Sequence, residues 1–231
     1  ETVLCKAVHT HKIAILNVFL DGLTHEQQAQ VIIRHNNNAL VCAVKFGEAD
    51  MLSILLNKLT AEQILHAFQR GKENGMHNFM RRVPRRNLSM ALDRLSSGQQ
   101  VDLICCQDSR GYNDVMIAVS QLHMEMLSEI VGRLSPEKKV TCIISQTTEL
   151  IYEDIEAGRQ KSGYNALMLA VDYGIFKEKQ KYHLDYHPGS MISILLNDLT
   201  PEQQMTVILQ ENSKHRNALH LTEREGALTM Y

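Results

Sequence analysis

Leu59-Thr60-Ala61-Glu62-Gln63 has four counterparts in this chain of 231 residues: Leu23-Thr24-His25-Glu26-Gln27, Leu95-Ser96-Ser97-Gly98-Gln99, Leu134-Ser135-Pro136-Glu137-Lys138 and Leu199-Thr200-Pro201-Glu202-Gln203. Their hydroxyl residues fall 36, 36, 39 and 65 residues apart. A period in the mid-thirties marks a helical repeat, in which a unit cannot bury its apolar face alone and stacks on its neighbours. Each hydroxyl is placed to cap a helix by accepting a hydrogen bond from a backbone N–H in its first turn. Gln27, Gln63, Gln99 and Gln203 stand three residues on, as a capping box requires, and Lys138 breaks the pattern. Pro136 and Pro201 occupy the first helical position, where a missing N–H costs nothing.

Working outward, apolar residues recur five and eight positions after each cap: Ala29 and Ile32, Leu65 and Phe68, Val101 and Ile104, Val140 and Ile143, Met205 and Ile208. That spacing is one face of an amphipathic helix. A second helix precedes each cap, carrying Leu16 and Leu20, Leu52 and Leu56, Leu88 and Leu92, Leu127 and Val131, or Ile192 and Leu196 at its core positions. Two of these helices, Met51-Leu52-Ser53-Ile54-Leu55-Leu56-Asn57 and Met191-Ile192-Ser193-Ile194-Leu195-Leu196-Asn197, differ at one position in seven. Further upstream, Asn38-Ala39-Leu40-Val41-Cys42-Ala43-Val44, Asn113-Asp114-Val115-Met116-Ile117-Ala118-Val119 and Asn165-Ala166-Leu167-Met168-Leu169-Ala170-Val171 share a third pattern. Degenerate copies begin near Thr2 and Asn74, and another opens at Asn217-Ala218-Leu219-His220-Leu221. The unit reads helix, turn, helix, cap, short helix, loop, with no competing strand signal.

Asn217-Ala218-Leu219-His220-Leu221 and the run from Asn165 to Gly174 resemble the Thr-Pro-Leu-His-Leu-Ala-Ala stretch and following Gly of ankyrin repeats. Ile194-Leu195-Leu196 is similar to the end of the ankyrin second helix. The resemblance covers nearly the whole chain and is divergent. Asn stands in place of Thr-Pro, and a capped helix takes the place of the usual hairpin loop. In that respect the chain looks most like ankyrin-repeat effectors of intracellular bacterial pathogens. The resemblance implies an all-α, ankyrin-like solenoid of five units near 2–37, 38–73, 74–112, 113–164 and 165–216, with a partial sixth at 217–231, forming one domain over 1–231. It also implies a structural hydrogen-bonding role for His220. As such an effector the protein would bind a host protein in the host cytoplasm.

Composition agrees with a globular chain: 44% hydrophobic, 22% charged, with a formal net charge of −2. Near-neutrality gives no general attraction to nucleic acid or anionic lipid. No run of about 18 apolar residues occurs, so no spanning helix is expected. The five cysteines, Cys5, Cys42, Cys105, Cys106 and Cys142, fall in expected helices without paired spacing. They are therefore expected as reduced core thiols in a cytoplasmic compartment. The chain starts at Glu1 rather than Met, and a longer parent protein is compatible with that.

Departures from a repeat point to local causes. In the third copy the turn between first and second helices holds Arg81-Arg82-Val83-Pro84-Arg85-Arg86, where the second copy has Phe46-Gly47-Glu48-Ala49. Arginine forks match carboxylates and phosphates, so an acidic partner is expected; a solvated turn that tolerates charge is the plainer alternative. The fifth copy carries an insertion at the same turn, from Ile175 to Gly189, which lengthens the Asn-to-cap distance from 22 to 35 residues. Its Phe176, Lys177, Lys179, Tyr182 and Tyr186 suit a protein interface. Stacking at about 8–10 Å per helix would set the two departures on one edge, roughly 20 Å apart. A second expansion, around Glu149-Leu150-Ile151-Tyr152-Glu153-Asp154-Ile155-Glu156, reads as an extension of the capped helix or a short added one.

Enzyme signatures are scarce. The sequence shows no phosphate-cradling Gly-rich run, serine elbow or paired zinc-type cysteines. His183 and His187 are four residues apart but lack a third ligand, and Pro188 ends their segment. Cys5 and His9, also four apart, lack a third residue or an oxyanion donor. The expectation is a monomeric protein-binding module without enzymatic activity, metal or cofactor. Its partner surface would be Arg81, Arg82, Arg85, Arg86, Phe176, Lys177, Lys179, Tyr182 and Tyr186. The alternatives are phosphate-rich ligand binding at the arginine turn, or a targeting arm for a catalytic domain elsewhere.

Overall fold

A computed structural model describes residues 3–34, 38–73, 83–148, 162–179 and 188–223, with the backbone alone at 73, 173–179 and 188. The regular structure among them is entirely helical. Its order follows the repeat. The first copy supplies α1 (Val3–His9), α2 (Ile13–Asp21) and α3 (His25–Ile33), and the second α4 (Ala39–Phe46), α5 (Ala49–Leu56) and α6 (Ala61–Glu73). The third contributes α7 (Arg85–Leu92) and α8 (Ser97–Cys105), and the fourth α9 (Asp114–Ser120), α10 (Met124–Val131) and α11 (Pro136–Ile144). The fifth supplies α12 (Ala166–Lys179), α13 (Pro188–Leu196) and α14 (Pro201–Leu209), and α15 (Ala218–Glu223) opens the sixth. None of these helices is long and apolar enough to cross a membrane.

The helices gather into two compact halves, Glu1–Leu103 and Ile104–Tyr231. Within each, a helix packs on the helix of the same class in the next copy. In the first half α1 meets α4, α3 meets α6 and α5 meets α7. In the second, α9 meets α12, α12 meets α15, α10 meets α13 and α11 meets α14. Leu16, Leu20, Leu52, Leu56, Leu92 and Leu127 are fully buried, as the spacing predicts. Ile192 and Leu196 are only partly buried; in α13 it is Met191 and Leu195 that are fully covered. Among the described residues no later second helix stacks beyond α13, and this leaves its far face wet.

The caps form as expected. Thr24, Thr60, Ser96 and Thr200 accept from the N–H three residues on at 3.2–3.3 Å, and the glutamine there accepts in return from the cap's own N–H at 2.9–3.0 Å. Ser135 accepts from Lys138 N at 3.4 Å, and lysine has no acceptor to return the bond. The spacing does not reveal that the next position faces inward. Gln28, Gln100 and Gln204 each donate through Nε2 to two carbonyls at the end of the preceding second helix: Leu20 and Leu23, Leu92 and Leu95, Leu196 and Leu199.

The recurrent asparagines are buried and work twice. Asn38, Asn113 and Asn165 accept through Oδ1 from the N–H of Val41, Met116 and Met168 at 2.8–3.0 Å, capping the first helix of each copy. Their Nδ2 groups donate to the third helix of the same copy or the residue after it: to Ala67 O in the middle of α6, Cys142 O near the end of α11 and Gln210 Oε1 just past α14. One side chain thus closes each unit. Asn217 and His220 form a reciprocal cap, each accepting from the other's backbone N–H at 3.1–3.2 Å, which gives His220 the structural role the resemblance implies.

A tight turn follows the short helix in the second half. Asp108 N donates to Tyr112 O at 2.8 Å while Asp108 Oδ1 accepts from Arg110 N and Tyr112 N at 2.9 Å. Asn212 repeats the arrangement with Lys214 N and Arg216 N. Gly111 takes φ +81°, and a Cβ there would meet Thr148 N at 2.5 Å, so the turn needs glycine both for its angle and for the neighbour's approach. The turns are also joined to one another. Gln107 Nε2 donates to Gln146 O at 3.0 Å, and Gln146 Nε2 donates to Glu211 O at 2.6 Å.

Three expectations are corrected. Cys105 and Cys142 form a disulfide with Cα atoms 5.2 Å apart, so the cysteines are not all reduced thiols. Their separation of 37 residues is close to one repeat period, and a period brings equivalent helix ends together where linear spacing shows no pair. The segment from Ile175 is not all turn, because α12 continues through Lys179, and Pro188 opens α13 rather than ending a segment. The capped helix of the fourth copy stops at Ile144 and is not extended; Glu149 to Glu156 lie outside the described residues.

Candidate functional site

The arginine segment is built on two buried anchors. Val83 is buried on one side, and Asn87 on the other donates through Nδ2 to Gly47 O at 2.9 Å and Val44 O at 3.2 Å. These carbonyls end α4, so the first turn of α7 is clamped to the preceding copy. Gly47 permits the tight turn there, since a Cβ would stand 2.6 Å from Ala43 O. Pro84, at φ −60°, is the N-cap residue of α7, and Arg85 and Arg86 stand exposed on its first turn. The repeat pattern puts both in a turn; in the structure they are helical, following Pro84 at the N-cap.

Their position is electrostatically unfavourable for the helix itself. A helix N-terminus carries partial positive charge, and a cation there costs about 0.3–1 kcal/mol. The helices α3, α5, α6, α10, α11 and α14 instead place Glu26, Asp50, Glu62, Glu125, Glu137 and Glu202 in the first turn. Glu137 and Glu202 are held below the usual carboxylate range by their own backbone N–H groups and by the Ser135 and Thr200 hydroxyls. The first turn of α7 has no acid. An anion docked there would meet two guanidinium groups and the helix terminus together.

Arg81 and Arg82 lie outside the described residues, as do Tyr182 and Tyr186 and the histidines His183 and His187. Phe176, Lys177 and Lys179 lie on the last turns of α12, where the backbone alone is described. Arg85 and Arg86 belong to the first half, and the α12 residues to the second.

One feature escaped the sequence reading. A cleft of about 220 Å³ opens in the second half among α10, the start of α11 and the end of α13, lined by Ser128, Val131, Leu134, Lys139, Ile194 and Asp198. Lys139 is buried, and its Nζ donates to Asn197 O at 2.5 Å, just past the end of α13, where a helix favours a cation. Burial pushes its amine below the usual lysine value, and the Asp198 carboxylate draws it part of the way back. Lys72 does the same work in the first half, donating to Leu103 O in the last turns of α8. The available signal was the fourth position after the cap, where Lys139 stands in register with Gln28, Gln100 and Gln204.

Among the described residues no cluster of His, Cys, Asp or Glu has the makings of a metal site. Cys5 is fully buried, and the ring of His9 meets Phe46 edge-on with centroids 4.9 Å apart. No protein-family model, curated protein or solved structure matches the chain.

Proposed function

We propose that the chain is an ankyrin-like repeat module that binds another protein, and that Arg85 and Arg86 hold an acidic segment of that partner. The observation that carries this reading is the arginine pair on the clamped first turn of α7, where it opposes the helix's own field. The like-on-like packing of helices and the hydrogen-bonded turns that link successive copies support the ankyrin-like part. On the resemblance to bacterial effectors, the partner would be a protein of a host cell. Arg81 and Arg82, adjacent in sequence, would add to that contact, and Phe176, Lys177, Lys179, Tyr182 and Tyr186 of the second half would make a separate contact with a partner.

Affinity capture with wild type, an Arg85→Ala/Arg86→Ala variant and a deletion of 175–189 tests the proposal. Each single arginine replacement should change stability by under about 0.5 kcal/mol, as for an exposed position, while partner recovery drops. Equal recovery by all three proteins would sink it. A phosphate-rich ligand is the second reading, favoured by the helix terminus beside the arginines. It would show binding that collapses steeply with added salt, whereas an interface with aromatic anchors should weaken only moderately.

A further inference from the structure

The helix α2 reads Ile13-Ala14-Ile15-Leu16-Asn17-Val18-Phe19-Leu20, with Asn17 its sole polar residue before Asp21. A helix apolar all round is a helix meant to be covered all round. Leu16 and Leu20 are buried, but Ile15 is 40% exposed, Phe19 48% and Val18 76%. Spaced i, i+3 and i+4, the three form one continuous row.

The other copies show what is unusual. The positions of Ile15 and Phe19 are held by Met51 and Leu55, Asn87 and Ala91, Met126 and Ile130, and Met191 and Leu195, none more than 3% exposed. The bonds from Asn87 to Val44 and Gly47 show that this face looks toward the preceding copy. On α2 the same face is uncovered.

The neighbouring helix indicates what does not cover it. Lys6 of α1 is exposed at the position where Cys42, Ile117 and Leu169 are buried. Another repeat stacked in the ordinary way would bury that ammonium against α1. The occupant therefore covers α2 and leaves α1 in water. We propose that the occupant is a second copy of this chain, its α2 packed antiparallel against the first across a two-fold axis. Between Ile13 and Leu20 there is no charge to be buried or repelled. The register that sets Ile15 against Val18 of the other copy also sets Lys12 against Asp21, because both pairs of numbers have the same sum. Both charged residues are exposed at the ends of the row, where they can pair at its rim. This pairing stands apart from the arginine turn and replaces the monomer expected from sequence.

One helix pair lies at the low end of interface sizes, under about 1,200 Å², so association is expected in the micromolar range. Sedimentation velocity over a concentration series tests it. Wild type should move from monomer toward twice that mass, while Val18→Glu and Phe19→Ser remain monomeric with unchanged thermal unfolding. In a Cys106→Ser background, an equal mixture of Ile15→Cys and Val18→Cys proteins should form the disulfide-linked dimer several-fold faster than either alone. Wild type that stays monomeric throughout overturns the proposal. So do variants that dimerise as readily as wild type, or a mixture that cross-links no faster than its components.

Discussion

Asn113 accepts from Met116 N and donates to Cys142 O with no room for water around it. Asn113→Ala removes a cap worth about 1 kcal/mol and leaves a buried carbonyl unpaired, at about 1–3 kcal/mol. The variant should therefore lose about 2–4 kcal/mol in denaturant titration. Asn113→Asp keeps the cap but not the donor, and should fall between the alanine variant and wild type. The pattern made the asparagines visible as the start of a helix; it could not show the second bond, whose partner lies 29 residues away. Lys139 gives a test by pH. Burial lowers its amine in the folded state, so between that lowered value and the ordinary lysine value the unfolded chain holds more protons than the folded one. Stability then rises with pH through that alkaline window. Lys139→Gln, which restores the residue found in three other copies, should abolish the rise. An unchanged alkaline slope in that variant would assign the effect elsewhere.

Among elements, the capped helices and the second helices should respond differently. Thr60→Ala or Thr200→Ala should cost about 1 kcal/mol. Leu56→Ala should cost about 2–5 kcal/mol, because the leucine is fully enclosed. Leu196→Ala, at a wetter position, should cost clearly less than Leu56→Ala. Equal losses at the two leucines would contradict the partial burial of α13. Periodicity identified both helices because their apolar spacing is the same; it could not rank them, since burial depends on what stacks outside. For the same reason the length of α12 was not legible. Ile175 to Lys179 lack an apolar stripe yet continue the helix, which a reading based on amphipathicity takes for a loop.

For the whole molecule, the disulfide offers the most direct measurement. Closing a loop of 37 residues removes about 3–4 kcal/mol of unfolded-chain freedom in the loop-entropy account. A reducing agent, or Cys142→Ser, should lower stability by up to that amount. If reduction leaves unfolding unchanged, the cross-link contributes nothing. The all-helical class and the order of elements were legible because five caps repeat at nearly constant spacing. The candidate site was legible only as composition: Arg85 and Arg86 were visible as charge, but their place on a helix terminus depends on Pro84 and on the clamp made by Asn87.

The double-duty asparagines bear on how the chain is made. Asn38 meets Ala67 and Asn113 meets Cys142, each only 29 residues downstream. A unit can therefore close as soon as that short stretch has left the ribosome, without waiting for the distant end of the chain. Structures dominated by such near-neighbour closures fold quickly, and folding can keep pace with synthesis from the N-terminal end. Asn165 must wait for Gln210, 45 residues on. The fifth unit would be the slow one to close, leaving its helices uncovered longest as the nascent chain emerges.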